Sequence, residues 1–513
     1  MTHAADPVGP AQPHADRPLA ALACALLSAM AAMGLYALTV APTISWGDSA
    51  DLAMRLVYDG DPTFDGTHRD YVLWRWIGQV AAWLPVEDAG LRANLFTGLW
   101  GAVTVGAVAG VVQVLTRSVI AGVIAGCALA VAHSFWLLSV IAEVYTFNAA
   151  VVFLAYACVA LWWVQERPRW LWPAAVFAGL SLAHHATGLV LIASVAPLLL
   201  ARLRRIGLRD GLIALALLLA VSLPYWVVTL PRLVSDMGFL AALGLSMSQN
   251  VFFEVSVPRE AFMFGAYLTY NFLGPALLLG LAGLVHAVRR RLWPVLPPLI
   301  WAGAFVYAGL TSSIPDKFNV YVLVYPAFAI LVGIGMAWGM ERFALRWRGA
   351  AAILAAVALV PPAGYAAAVR ASDWLGIDLV GARQAPLRDN NAFFLWPPKT
   401  GDFGPRIFAE TALADMPADG ILIADYTLWR PLYFVQAVEA QRTDVQLVFV
   451  ERLLAQGVDS WIDDQPCDRR VFLATDTPGR YYQLDRVRQR FEVRPEGSIF
   501  EVLGRCPAEE AAR

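Results

Sequence analysis

Eleven apolar runs dominate this 513-residue chain and leave it few folds to choose from. They fall at 18–42, 93–115, 119–137, 144–164, 170–183, 186–201, 211–230, 262–288, 294–311, 320–340 and 350–369. About 20 apolar residues cross a bilayer as a helix, because nothing in the hydrocarbon satisfies an open backbone. The runs at 170–183 and 186–201 are short, and a single unit kinked around HHATG is an alternative. Only 15% of residues are charged, against about 25% in soluble domains. The expected fold is mainly α: a polytopic membrane helical bundle of about 11 spans, with a small C-terminal α/β domain on the outer side.

Arginine placement orients the bundle. With the N-terminus inside, the inner loops carry Arg117, Arg167, Arg169, Arg202, Arg204, Arg205, Arg209, the triplet Arg289–Arg291, Arg342, Arg346 and Arg348. The short outer turns are nearly free of basic residues, the positive-inside pattern. An odd span count then puts the C-terminus outside. The expected location is the cell (inner) membrane, multi-pass, with the N-terminus cytoplasmic and the C-terminal domain periplasmic or otherwise extracytoplasmic.

Three parts follow. Residues 1–17 are polar, carry Pro7, Pro10 and Pro13, and read as a disordered cytoplasmic N-terminus. Residues 18–369 form the transmembrane part, with a long first outer loop at 43–92. The 18–42 run is too long for a signal-peptide core and reads as an uncleaved span. Within the loop, 50–58 and 71–84 read as amphipathic helices suited to the interface plane. Residues 370–513 have soluble composition; ILIADY, DVQLVFV and VFLAT read as short buried strands, with a helix over 427–441. Strand–helix–strand order predicts some parallel pairing. Cys467 and Cys506 lie in this tail and could pair if it faces an oxidising compartment. The net charge of −2 says little about partners; membrane lipid is expected, nucleic acid is not.

The ionisable residues of the outer side are unevenly placed. The first loop opens with TISWGDSADLA, and Trp46 is expected at the membrane interface beside Asp48 and Asp51. The loop also holds His68. Glu143 follows the third run, His184 and His185 lie between the fifth and sixth, and Asp316 and Lys317 between the ninth and tenth. Polar groups at membrane depth are costly and tend to be functional. Their convergence on one face predicts a site at the outer interface.

The same stretches carry a resemblance. Asp48-Ser49-Ala50-Asp51 resembles the acidic first-loop motif of GT-C glycosyltransferases. The similar branch is the one long catalogued as a domain of unknown function and related to transmembrane protein O-mannosyltransferases. His68 before Tyr71-Val72-Leu73, Arg92 with Asn94-Leu95-Phe96, Ala142 to Tyr145, His185-Ala186-Thr187 and Asp316 to Pro326 follow in matching order. Ala50 and Asp51 stand where that branch more often has Gly and Glu. The resemblance implies transfer of a sugar from a polyprenyl-phosphate carrier to a protein, glycan or lipid acceptor at the outer face. It implies no metal ligands and no certain cofactor beyond that lipid-linked donor, although several first-loop acids could hold a divalent ion.

Such a transfer needs a carboxylate to take the proton from the attacking hydroxyl and stabilisation of the leaving phosphate. Asp48 is the first choice of base, and partial desolvation at a span end would strengthen it. Asp51 is its companion. Each has a plainer reading: Asp48 as a helix N-cap, Asp51 as an i,i+4 partner of Arg55. His68, Arg92, Glu143, His185, Asp316 and Lys317 are candidates for donor binding. Lys317 would hold the phosphate as a point charge, or else snorkel. Asp425, Trp429 and Arg430 of the tail read as structural. A flippase of lipid-linked sugars would place charges near mid-span and repeat interrupted helices, and neither pattern is visible. A non-catalytic scaffold would not need the first-loop carboxylates.

Overall fold

The computed structural model describes residues 17–57, 71–235, 243, 255–314, 316–380, 384–477 and 482–504. All eleven apolar runs are helical. Among the described residues six helices are long and apolar enough to cross a membrane, or up to eight if two bent pairs each count as one span. The chain is an integral, multi-pass membrane protein.

Two of the expected spans are broken. The 211–230 run is two helices, Leu208–Val221 and Leu223–Leu233, bent by 73°. The 262–288 run is Val257–Asn271 and Pro275–Arg289, bent by 115°. Gly274 at φ +73° makes the second break, with Pro275 starting the new helix. Only glycine enters that conformation without strain. HHATG separates two helices, α8 (Leu171–His184) and α9 (Gly188–Ala201).

The bundle core packs α1 (Arg17–Thr39), α4 (Ala89–Thr116) and α7 (Tyr145–Gln165) with the Val324–Arg342 helix. Lipid tails give apolar helices no reason to prefer one another, so close backbone approach does the sorting. Gly106 of α4 lies against Ala25 O of α1, and Gly283 lies against Leu331 O of the Val324–Arg342 helix. Two short helices, α2 (Asp48–Val57) and α3 (Val72–Gly78), occupy the first loop.

The tail folds into a five-stranded sheet of order β2-β1-β3-β5-β4. β1 (Ile421–Ala424) pairs in parallel with β2 (Gln446–Phe449) and with β3 (Val471–Leu473). The Tyr426–Val438 helix connects β1 and β2. β4 (Glu492–Glu496) and β5 (Ile499–Leu503) form an antiparallel hairpin around Gly497. That hairpin was not expected: β4 is mostly exposed and polar, without a buried strand's apolar run. Cys467 is disulfide-bonded, while Cys506 lies outside the described residues.

Loop and tail share one hydrophobic core. Ile44, Trp46, Ala53 and Leu56 pack with Phe408, Leu422, Leu428 and Phe434. Trp46 is therefore not at a lipid interface. It is buried, with its ring 5.9 Å from that of Phe408. Arg406 locks the junction from the tail side, reaching Thr43 Oγ1 at 2.7 Å, Asp88 at 3.0 Å and Glu439 at 2.7 Å.

Candidate active site

The start of α2 is held from three sides. Asn94 of α4 donates to Ala41 O at 2.9 Å and Thr43 O at 2.8 Å. Gly90 packs on the backbone of Ile44. Gly47, at φ +57°, donates to Thr427 O in the tail at 3.3 Å. Asp48 and Asp51, three apart at the first turn of α2, then project from one face of the helix. Opposite them the Tyr426–Val438 helix begins, capped by Asp425, which accepts from Thr427 N at 2.9 Å. Tyr426 and Arg430, four apart, share a face in the same way.

These two helix starts and the segment before α7 enclose a cavity of about 210 Å³. Asp48, Asp51, Arg55, Tyr71, Glu143, Tyr145, Tyr426 and Arg430 line it. Two N-termini pointing at one space favour an anion there. Asp48 is exposed at the mouth and accepts a hydrogen bond from the Tyr426 hydroxyl. The helix begins at Asp48 itself, with its first amides bonded to Gly47 O. Asp51 is buried between two guanidiniums, Arg55 Nε at 2.9 Å and Arg430 Nη1 at 2.5 Å. The Asp51–Arg55 pair is thus a buried contact at the cavity, not a surface one.

Desolvation falls on Glu143 rather than Asp48. Its backbone amide is fixed by Thr97 Oγ1 at 3.2 Å. Burial, with Asp48 and Asp316 adding negative charge, holds the Glu143 carboxyl well above the usual carboxylate range. A carboxyl in that state keeps its proton to higher pH than an exposed one, and when protonated it can donate a hydrogen bond.

The other candidates lie around this centre. Asp316 is near enough to act on Glu143 electrostatically but does not line the cavity. Lys317 is buried in an ion pair with Glu260 at 2.6 Å and does not line the cavity. His185 Nδ1 accepts from Thr187 N at 3.2 Å, and its ring stacks on Tyr71 at 6.2 Å, one layer behind the cavity. His184 is buried against Phe147 and Tyr71. Arg92 sits on α4 outside the lining. His68 lies outside the described residues. No group of three or more potential metal ligands occurs among the described residues.

Residues 70–206 match the family described as the protein O-mannosyl-transferase TMEM260 N-terminal domain. Over nearly the full length the chain is similar to ArnT from Cupriavidus metallidurans in the apo state. That likeness has a TM-score of 0.60 at 15% identity and covers 94% of this chain and 98% of ArnT. ArnT bound to undecaprenyl phosphate gives a TM-score of 0.54 at 14% identity, with the same coverage of 94% and 98%. No curated protein matches the sequence significantly. The fold is that of ArnT. The resemblance read from the motifs is met at this level.

Within this ArnT-like fold the cavity draws on three stretches far apart in the chain. Sequence reasoning found the carboxylates from their placement at one membrane face. It missed Tyr71 and Tyr426 and read Arg430 as structural. A tyrosine or arginine in a soluble tail carries no local sign of facing a membrane site. The available signal was subtler: Tyr426 and Arg430 share a helix face directly after a buried strand, where α/β sheets commonly place ligand-binding residues.

Proposed function

We propose that the chain transfers a sugar, of hexose or mannose type, from a polyprenyl-phosphate donor to an acceptor hydroxyl on the extracytoplasmic side of the cell membrane. One observation carries the reading: a cavity at the junction of first loop and tail holds an exposed carboxylate beside two arginines. The first is what a general base needs. The second is what a leaving phosphate needs. The ArnT structure with undecaprenyl phosphate supports a lipid-linked donor for this fold. The O-mannosyl-transferase family match supports the sugar type.

Asp48 takes the proton from the acceptor hydroxyl as that oxygen attacks the anomeric carbon. The bond from that carbon to the phosphate oxygen breaks, and the electron pair leaves with the carrier. Tyr426 fixes one Asp48 oxygen and leaves the other for the acceptor. Glu143, protonated, offers a hydrogen bond to a sugar hydroxyl. The acceptor is a protein, glycan or lipid.

Purified protein assayed with radiolabelled polyprenyl-phosphate sugars tests this. The expected loss for Asp48→Asn is about 10²- to 10⁴-fold in transfer, with thermal stability retained. Undiminished transfer by the variant would remove Asp48 as the base. Absence of transfer by the wild type from every donor would favour a flippase or scaffold.

A further inference from the structure

We propose that Arg430, from the tail, is the residue that grips the phosphate of the lipid-linked donor, so that the tail supplies part of the catalytic centre. This rests on the polyprenyl-phosphate reading above. Two residues were expected to supply the phosphate cation, Lys317 and Arg92. Lys317 is committed to Glu260, and Arg92 lies outside the cavity.

Arg430 is differently placed. Its side chain is 8% exposed and lines the cavity. The guanidinium lies 5.0 Å from the Tyr426 ring and 5.1 Å from the Trp429 ring, which hold its plane. Its Nη1 is held by Asp51 Oδ1 at 2.5 Å, while Nε has no hydrogen-bond acceptor among the described residues. A buried guanidinium with an unmet donor is costly. A phosphate presents oxygens in the geometry that fork accepts. The N-termini of α2 and of the Tyr426–Val438 helix point at the same space, adding partial positive charge.

The chemistry balances. As the anomeric C–O bond breaks, the phosphodiester monoanion becomes a phosphomonoester that gains one negative charge. The acceptor's proton goes to Asp48. Arg430 interacts more strongly with the departing phosphate than with the bound donor, which is how a cation lowers this barrier. Asp51 then has a defined part: it offsets the Arg430 and Arg55 charges while the site is empty.

Binding of a soluble short-chain polyprenyl phosphate, measured apart from transfer, tests the assignment. Arg430→Gln should weaken binding roughly ten- to hundredfold, the range for losing a charged hydrogen bond. The double variant Asp51→Asn/Arg430→Gln removes both members of the Asp51–Arg430 pair together and serves where the single variant fails to fold. It should fold and still bind weakly. Wild-type affinity in the double variant would show that Arg430 only neutralises Asp51, and would overturn the proposal. Unchanged binding by Arg430→Gln would do the same, as would a wild type that binds no polyprenyl phosphate. A wild type that binds the carrier but transfers nothing sinks the transferase reading and leaves this comparison readable.

Discussion

Two buried titratable residues give the protein pH slopes of opposite sign. Burial keeps Glu143 protonated well above 4.5, the ordinary value at which the unfolded chain releases that proton. Above 4.5 the folded state therefore binds the extra proton, and stability falls as pH rises toward the folded value. Glu143→Gln should remove that fall, read as a flatter melting temperature as pH rises above 4.5. Lys399 acts the other way. It is buried in the tail, where the Lys399 amide donates to Thr39 O of α1; its ammonium donates to the carbonyls of Trp396 and Pro397, and burial lowers it from 10.5 to about 7. Between these values the unfolded chain holds the proton and the folded one has lost it, so stability rises with pH. Lys399→Met should abolish that rise and leave the slope below pH 7 unchanged. At this scale the sequence was half legible. Asp48, Asp51 and Glu143 declared themselves, because a carboxylate at a membrane edge is expensive. Arg430 and Tyr426 did not, because their meaning comes from contacts that no short window contains. The Tyr426–Asp48 bond joins residues 378 positions apart.

Helix existence was readable throughout, since length and hydropathy decide it. Helix continuity was not. A run such as 262–288 has the apolar length of one span, and only the backbone of Gly274 shows the 115° bend. Packing between elements was equally hidden, since apolar helices in lipid sort by where small residues let backbones touch. The Pro275–Arg289 and Val324–Arg342 helices cross where Gly283 meets Leu331 O and Gly335 meets Leu279 O. A Cβ at either glycine would press on main-chain carbonyls, which cannot rotate away. Gly283→Val should cost about 1–3 kcal/mol or more through overpacking, seen as a lower melting temperature in detergent. Gly303→Ala, with open space around its position, should be neutral or slightly stabilising. Equal losses from both substitutions would show that the crossing is not set by this contact.

At the scale of the molecule, the helices sort charge to two ends. α4, α7 and the Val324–Arg342 helix all begin near the cavity, after Asp88, Glu143 and Asp316. They run away from it to Arg117, Gln165 and Arg342. At that far end Glu166 is paired with Arg202 and Arg205. The carboxylate-lined cavity and the arginine-rich turns thus occupy opposite ends of the bundle. The positive-inside rule predicts that the arginine end faces the cytoplasm; under the proposed function, a donor loaded there would be flipped before use. Breaking two spans alters how the chain is counted but not this polarity, because each long helix keeps its direction. Single cysteines read the assignment directly. Ala418 of the tail and Arg290 at the far end are both exposed. In intact cells a membrane-impermeant thiol reagent should label Ala418→Cys, and it should reach Arg290→Cys only after permeabilisation. The reverse pattern would put the cavity in the cytoplasm. It would also end the case for an extracytoplasmic transfer, whatever the residues in the cavity can do.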